Sequence, residues 1–493
     1  MGTTESLAWF LPELVLTAGI VVVILLDLVA TAGRRPVGST AGIVAFVTAG
    51  TALACAVPLL GRPGGWLFGR MLVLDGFSVF FKLLLGLSLV AVVWMSLGSR
   101  EVRGQPNEGE YHTLVLSSGL AMFLMAGAAN LLMAYLALEF VSLVSYVLTG
   151  FLRHDRRATE AALKYLIYGA VASGSMIYGM SWLFGLTGAM DYAGIAAGVA
   201  KLDAASRPAF FFALVLILTG FGYKIAAVPF HMWAPDVYTG APIPVTAFLA
   251  VGSKAAGFAM LLRFFYLGGA ATEAAFAAVP LRELGAVIAV ATMTLGNFAA
   301  LSQTNMKRLL AYSSIAHAGY ALLGFVVLTA AGLEAVLFYL AVYYVMNLGA
   351  FWVLMLVVNA TGREDIEAFR GLARRGGAVP ALAMAIFLFS LAGLPPFAGF
   401  IGKFLVFQAG VAGKLYALVV IGLLNSVVSL YYYARVVKAM FLDEARDGDP
   451  AVVIRPGELG AVAVLSVATI VLGVNFRWLL DLVYASRPVL PGS

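Results

Sequence analysis

Residues 209–240 read AFFFALVLILTGFGYKIAAVPFHMWAPDVYTG, and this stretch decides the kind of fold the chain adopts. Its first half is an apolar run of about the length a helix needs to cross a bilayer, roughly 20 residues. Lys224, Pro229 and Pro235 interrupt the run. Proline removes a backbone N–H and clashes with the preceding turn, so the pattern predicts a membrane helix that is broken. At bilayer depth such a break is tolerated only where protein or water satisfies the freed backbone groups.

The composition of the whole chain agrees with a membrane protein. Of 493 residues, 62% are hydrophobic and 11% are charged, and the mean hydropathy is +0.97. An average soluble domain has about 25% charged residues. These values exclude a soluble enzyme, a nucleic-acid-binding domain and a disordered linker. The uninterrupted apolar runs also argue against a membrane β-barrel, whose strands alternate polar and apolar residues.

The apolar runs predict an all-α polytopic membrane protein with about 14 transmembrane helices. The first run is long enough to span and lacks a basic leader, so we expect a retained helix rather than a cleaved signal. We place the spans at about 8–30, 41–60, 76–98, 111–129, 131–152, 160–187, 209–233, 242–266, 284–303, 308–329, 333–359, 379–409, 414–440 and 457–484.

Basic residues are distributed unevenly between alternate connections. The odd-numbered connections hold 17 Lys and Arg residues, from Arg34 and Arg35 to Arg455, and the even-numbered connections with the two termini hold 7. The positive-inside rule then predicts that the odd connections face the cytoplasm and that both termini lie on the outer side of the membrane.

A weak internal repeat suggests inverted symmetry. The stretch EAALKYL at 160–166 resembles EAVLFYL at 334–340, and the pair Pro229-Phe230 resembles Pro396-Phe397. The repeat units would be spans 4–8 and 9–13, and an odd number of spans inverts the second copy. This predicts an N-terminal three-helix segment at 1–110, repeats at 111–266 and 267–440, and a C-terminal helix at 441–493, with helices 7 and 12 broken.

Charged residues within the spans are candidates for function, because a charge at mid-bilayer costs several kcal/mol unless it has a partner or water. For Lys82 we expect a side chain that extends to the membrane surface. For Lys164 this arrangement and a role inside the bundle both stay open. The others predict a hydrated path. Burial favours the neutral amine of a lysine and a nearby carboxylate favours the ammonium, so such pairs can relay protons. The six candidates are Lys82, Glu139, Lys164, Lys224, Lys254 and Lys403.

Redox groups are not expected on this chain. Its single cysteine, Cys55, can form neither an internal disulfide nor a cysteine-ligated iron–sulfur cluster. A haem between buried histidines would need His231 and His317, and we disfavour it.

Three long motifs resemble a known family. They are PFHMWAPDVYTGAP at 229–242, RLLAYSSIAHAGY at 308–320 and SLAGLPPFAGFIGKF at 390–404. They are similar to the antiporter-like membrane subunits of respiratory complex I, of the subunit N type, the bacterial counterpart of mitochondrial subunit 2. The resemblance covers almost the whole chain.

This resemblance implies a fourteen-helix subunit with one proton channel in an enzyme that oxidises NADH and reduces quinone elsewhere. The family's helix 5 glutamate corresponds to Glu139, and its lysines of helices 7, 8 and 12 correspond to Lys224, Lys254 and Lys403. The helix 6 lysine and helix 10 histidine correspond to Lys164 and His317, and His231 is a further candidate for the path. The subunit M type usually has glutamate at the helix 12 position, and the subunit L type continues into a long lateral helix that we do not expect here.

The resemblance also implies partners. These are the other membrane subunits of complex I and, through them, the hydrophilic arm, which would hold the FMN, iron–sulfur clusters and quinone. Two alternatives stay open at this point. One is a subunit of a multi-subunit cation/proton antiporter or membrane-bound hydrogenase with the same fold and charges. The other is a structural anchor whose buried charges are replaceable.

Overall fold

The computed structural model describes residues 2–32, 39–266, 279–446, 448–452 and 454–487. Arg34 and Arg35, which contribute to the charge asymmetry, lie outside these ranges, as does residue 267, where the second predicted repeat begins.

The described residues form a bundle of helices, as predicted. Eleven of the described helices are long and apolar enough to cross a membrane. The count of 14 spans stays a prediction, because α5 and α7 are not among these eleven and two predicted spans are split. The helices up to the first break are α1 (Thr3–Trp9), α2 (Leu11–Ala32), α3 (Ser39–Ala56), α4 (Gly76–Gly98), α5 (Glu108–Gly127), α6 (Leu131–Thr149), α7 (Arg156–Thr187), α8 (Tyr192–Val199) and α9 (Arg207–Ile225).

The remaining helices follow in the same order along the chain. They are α10 (Trp233–Gly240), α11 (Ile243–Phe248), α12 (Lys254–Tyr266), α13 (Leu281–Leu301), α14 (Met306–Val326), α15 (Ala330–Thr361), α16 (Ala378–Ala392), α17 (Ala398–Ala412), α18 (Tyr416–Phe441), α19 (Pro456–Val474) and α20 (Arg477–Ala485).

Both predicted breaks are present. The span that carries Lys224 divides into α9 and α10 around Pro229, and the span that carries Lys403 divides into α16 and α17 around Pro395 and Pro396. Each break contains one cis X-Pro peptide bond. The span between Ile243 and Tyr266 contains a feature the sequence did not predict, because the five residues before Lys254 form a π-helical turn.

Some short elements also differ from the prediction. The connection after α3 contains a two-stranded antiparallel hairpin, β1 (Gly65–Leu67) and β2 (Leu72–Leu74). The last predicted span was wrong in its length, because α19 ends at Val474 and the separate helix α20 follows. Asn475 adopts a non-helical conformation there, and asparagine favours helix ends over helix interiors.

The connections between the helices lie at two opposite ends of the bundle, as the contacts between them show. The described odd-numbered connections from the third onward meet at one end, through Ile243–Glu101, Lys307–Glu364 and Arg363–Asp449 contacts. We call this end the basic face, made of residues 99–107, 150–155, 241–242, 302–305, 362–377, 442–446, 448–452 and 454–455. At the opposite face, Phe68 contacts Ser6 and Arg487 pairs with Glu334. The two described ends of the chain therefore lie on the same face.

The innermost helices carry two of the predicted site residues. The apolar windows of Ile243–Tyr266 and of α14 are almost completely buried, whereas that of α2 is mostly exposed. A helix that is buried on all sides lies inside the bundle. Lys254 and His317 are therefore at its centre.

The two segments of the proposed repeat occupy opposite ends. Glu160 on α7 lies at the basic face beside Lys164, and Glu334 on α15 lies at the opposite face beside Arg487. An inverted repeat requires this arrangement. The repeat and the domain boundaries derived from it stay predictions.

Candidate functional site: a buried series of ionisable and polar side chains

The first break positions Lys224. Helix α9 ends at Ile225, and the next residue, Ala226, takes a left-handed conformation with φ of 59°. Lys224 therefore lies in the last turn, where the free carbonyl groups of a helix end favour a cation. Its side chain is buried. The Nζ atom donates a hydrogen bond to Ser142 Oγ at 3.2 Å.

Glu139 lies one helical turn from that serine on α6, so Ser142 and Glu139 share a helix face. Glu139 is half-buried, and its Oε1 atom has no hydrogen-bond partner among the described residues. In the described part of the chain, no ion pair within 4.0 Å joins Glu139 to Lys224. The serine hydroxyl, rather than the carboxylate, contacts the ammonium. This contact is a feature the sequence did not predict.

Lys254 extends the series toward the centre. The aliphatic stem of Lys224 packs against Gly257 on α12, one turn beyond Lys254. A Cβ atom at position 257 would lie only 3.1 Å from Lys224 Cγ. Lys254 Nζ donates to the carbonyl oxygen of Ser314 at 2.6 Å and to its Oγ at 2.5 Å. Tyr343 also donates to Ser314 Oγ, at 2.9 Å. One serine on α14 therefore connects a buried lysine to a buried phenol.

His317 lies one turn further along α14. Its Nδ1 is 2.6 Å from the hydroxyl of Tyr339, and its Nε2 is 3.3 Å from the hydroxyl of Tyr433. Tyr433 is in turn 2.5 Å from Ser313 Oγ. Tyrosine hydroxyls therefore contact both ring nitrogens of His317.

Lys403 lies at the second break. Its Nζ donates at 2.9 Å to the carbonyl oxygen of Ala392, the last residue of α16, and lies 4.6 Å from the centre of the Tyr320 ring. Phe400 and Phe404, the aromatic neighbours of Lys403 in the sequence, do not bury this lysine. Both rings are exposed and stack on each other, because they lie on the outer side of α17 while Lys403 points inward.

Helix α14 links these groups. Ser314, His317 and Tyr320 recur every three residues, a spacing that places them on one face of a helix. Through them Lys254 at one end is connected with Lys403 at the other. The serine and tyrosine members were missed from the sequence, although the three-residue spacing within 308–320 is a signal that could have identified them. The described residues thus bring Lys224, Lys254, His317 and Lys403 into one buried series.

Lys164 is not part of this series. It lies toward the basic face with a partly exposed side chain, and its Nζ is 2.7 Å from Glu160 and 2.8 Å from Asp236. Asp236 also pairs with Arg308 at 2.7 Å. His231 is buried between α9 and α10, and its Nδ1 has no hydrogen-bond partner within the described ranges.

Two further buried ion pairs lie outside the series. Lys82 pairs with Glu13 at 2.7 Å and both side chains are buried, so the expectation that Lys82 extends to the surface is wrong. The acid lies in the first turn of α2, which packs against the rest of the bundle. Arg263 forms a bidentate pair with Asp75, with both side chains inaccessible to solvent.

Two broken helices and a buried series of lysines and histidine are the features of an antiporter-like membrane subunit. Residues 128–429 match the family described as NADH:quinone oxidoreductase/Mrp antiporter, transmembrane. The match covers more than half of the sequence, and the chain belongs to this family.

Curated relatives match over nearly the full length. The chain is 47% identical to NADH-quinone oxidoreductase subunit N of Anaeromyxobacter sp. over 95% of this chain and 94% of the relative. It is 46% identical to NADH-quinone oxidoreductase subunit N 2 of Sorangium cellulosum over 99% of each.

Solved structures agree with these relatives. A chain of respiratory complex I from Thermus thermophilus is 33% identical, with a TM-score of 0.79 over 95% of this chain and 98% of that chain. A chain of the Mrp complex from Dietzia sp. is 22% identical, with a TM-score of 0.83 over 100% and 98%. At that identity the second likeness shows the fold alone.

Proposed function

We propose that this chain is a proton-translocating membrane subunit of an NADH-quinone oxidoreductase, in which electron transfer from NADH to quinone on other subunits drives proton movement across the membrane. The single observation that carries the proposal is the buried series from Lys224 through Lys254 and His317 to Lys403. A charged side chain at this depth costs free energy, so ionisable residues kept inside a membrane bundle indicate a functional site. The full-length relatives, named as subunit N, support the redox-linked enzyme as the partner.

The antiporter alternative is not favoured. Its support is the Mrp structure, at 22% identity, whereas relatives at 41–47% identity over most of the chain are named NADH-quinone oxidoreductase subunit N. The structural-anchor alternative predicts that buried lysines can be replaced without loss of proton movement.

The mechanism follows from the contacts. A proton held on Lys224 or Lys254 has a hydroxyl acceptor within hydrogen-bond distance, Ser142 or Ser314. His317 has hydroxyl groups at both ring nitrogens and can gain a proton at one as it loses a proton at the other. Lys403 holds the last proton at the end of α16. Glu139 acts on Lys224 as a charge one turn from its hydrogen-bond partner, because a nearby carboxylate favours the ammonium.

Separate protonatable groups allow gating. An open water channel would dissipate the gradient, since each charge that crosses represents about 2.3 kcal/mol per 100 mV. Lysines that release a proton only when a neighbouring charge changes avoid this leak.

We further propose that the basic face lies in the cytoplasm and both termini in the periplasm of a bacterial inner membrane. The excess of basic residues on the odd connections supports this orientation. Accessibility of single cysteines at Thr4 and Arg487 to a membrane-impermeant thiol reagent reports the compartment, and labelling from the cytoplasmic side would reverse the assignment.

We place the FMN, iron–sulfur clusters and quinone on partner subunits, and we propose that this chain contacts the hydrophilic arm only through other membrane subunits.

The test of the function is the substitution Lys254→Met in the assembled complex, reconstituted into vesicles. We expect NADH-driven proton pumping to fall by about a hundredfold or more, because a positioned proton-transfer group contributes at least about that factor. The matched control is Lys201→Met, because Lys201 is exposed at the opposite face. Wild-type pumping by an assembled Lys254→Met complex would refute the proposal.

A further inference from the structure

An ion cluster at the basic face is not used by the proposed path. Lys307, at the start of α14, is buried, and its Nζ lies 2.7 Å from Glu364 Oε1 and 3.9 Å from Glu101 Oε1. The same Nζ donates to the carbonyl oxygen of Ala241 at 2.9 Å. Glu101 is in the connection between α4 and α5. Its Oε2 accepts the backbone N–H of Ile243, the first residue of α11, at 2.7 Å.

This cluster borders a cavity at the basic face. The cavity has a volume of about 560 Å³, and its lining includes Arg100, Glu101, Arg157, Asn305, Arg363 and Glu364. Arg100 and Arg157 are exposed, so the space is reached from outside the bundle. Arg157 also lines a second cavity of about 120 Å³ beside Lys164 and Asp236. Water at this end of the molecule therefore has access to the Glu101 carboxylate.

The negative charges near Glu101 are only partly neutralised, which favours protonation of its carboxylate. The carboxylates of Glu101 and Glu364 share the single ammonium of Lys307, and Asp155 and Asp365 lie on neighbouring connections. The guanidinium of Arg363 is within 4.0 Å of Asp365 and Asp449, and the exposed Arg100 and Arg157 lie at the rim. Burial raises the pKa of Glu101 above its ordinary value, and Lys307 only partly opposes this shift.

Polar groups connect the cluster to Lys254. The hydroxyl of Thr246 lies 3.4 Å from the Ala241 carbonyl oxygen, which Lys307 also contacts, and 3.1 Å from the Tyr238 carbonyl oxygen. The hydroxyl of Tyr238 is 3.3 Å from Ser314 Oγ, the group that accepts from Lys254. Thr246 and Tyr238 thus place polar groups between the edge of the cavity and the central lysine, and the side chain of Tyr238 spans the distance from its carbonyl oxygen to its hydroxyl.

We propose that Glu101 is the proton-loading residue of this path, which takes up a proton from the water of the cavity at the basic face and passes it toward Lys254. On loading, the carboxylate takes the proton of a hydronium ion and leaves water. On release Glu101 returns to the carboxylate form as the neutral amine of Lys254 takes up the proton and becomes an ammonium, and Lys307 stays paired with Glu364 throughout. The inference rests on the proposed function, because it assigns the uptake side of the same path.

The test compares Glu101→Gln with Glu101→Asp in the assembled complex. Glutamine can still accept the Ile243 N–H but cannot carry the proton. We expect Glu101→Gln to slow coupled turnover and pumping by about a hundredfold and to remove the part of the pH profile that follows titration of Glu101. We expect Glu101→Asp to restore most of the activity with a displaced profile. The control is Glu367→Gln, because Glu367 lies at the same face, pairs with Arg370 and Arg446 and does not line the cavity.

The outcomes are distinguishable. Wild-type rate and profile in Glu101→Gln, with Lys254→Met inactive in pumping, would overturn this inference and leave the proposed function standing. Wild-type pumping by Lys254→Met would remove both. A slow Glu101→Gln complex with an unchanged pH profile and no rescue by aspartate would mean that Glu101 only holds the start of α11 in place, and this result would overturn the inference. If Glu101→Gln does not assemble, an unchanged pH profile in Glu101→Asp overturns the inference.

Discussion

Replacing Arg263 by methionine tests whether the fully buried Arg263–Asp75 pair stabilises the bundle. Arg263 Nη2 and Nη1 donate to the two carboxylate oxygens of Asp75 at 2.8 and 3.0 Å, and Nε donates to the Ala126 carbonyl oxygen at 2.9 Å. The guanidinium carbon also lies 4.6 Å from the centre of the Phe77 ring. One side chain thus connects α12 to the start of α4 and the end of α5.

The expected cost of Arg263→Met is about 3–5 kcal/mol, because removal of one partner leaves an uncompensated charge in the interior. Asp75 Oδ1 caps α4 by accepting the Ser78 N–H at 2.8 Å. Asp75→Asn should keep this helix cap, since asparagine is as good an N-cap as aspartate. The double variant contains neither charge. We therefore expect it to be more stable than Arg263→Met alone.

The measurements are the amount of assembled complex in membranes and the midpoint temperature of thermal inactivation of the purified complex. The control is Arg153→Met, because Arg153 and Glu110 form an exposed pair at 2.8 Å and such pairs contribute about 0–1 kcal/mol. Losses from the two single changes that simply add in the double variant would show that the pair is not coupled and would refute this reasoning.

Two further substitutions test the proton path itself. Glu139→Gln should lower pumping and coupled turnover while assembly is retained, because the negative charge that favours the ammonium of Lys224 is lost; full pumping in the assembled variant would limit the acid to a structural role. Lys403→Ala should lose much of the proton-coupled activity and Lys403→Glu should retain more, since a protonated carboxyl group can also donate to the carbonyl at the end of α16. Equal activity of the two Lys403 variants in vesicle pumping assays would mean that no proton passes this position.

Membrane insertion and the two helix breaks were predictable because they depend on local chemistry. Apolar runs of about 20 residues exclude a soluble fold wherever they lie in the chain, and proline interrupts a helix whatever packs against it. The cost of an isolated charge in lipid likewise identified Lys224, Lys254 and Lys403 as buried functional candidates, and all three are buried.

The partners of those charges depended on packing between distant segments. Ser142 contacts Lys224 although the two are 82 positions apart in the sequence, and Ser314 contacts Lys254 across 60 positions. Sequence patterns do not specify such contacts, because a serine in an apolar helix normally bonds to its own backbone and gives no signal of an external partner.

Hydrophobicity, proline and ionisation act within a single helix, so the amino-acid sequence alone is enough to specify a bundle of membrane helices with two breaks and a set of costly charges. Packing between helices, by contrast, pairs Lys82 with Glu13, turns Phe400 and Phe404 away from Lys403 and places Glu101 at the border of a cavity at the basic face. These outcomes depend on which helix faces are turned toward each other, and the free energy of that choice is a sum over many weak contacts between residues far apart in the chain.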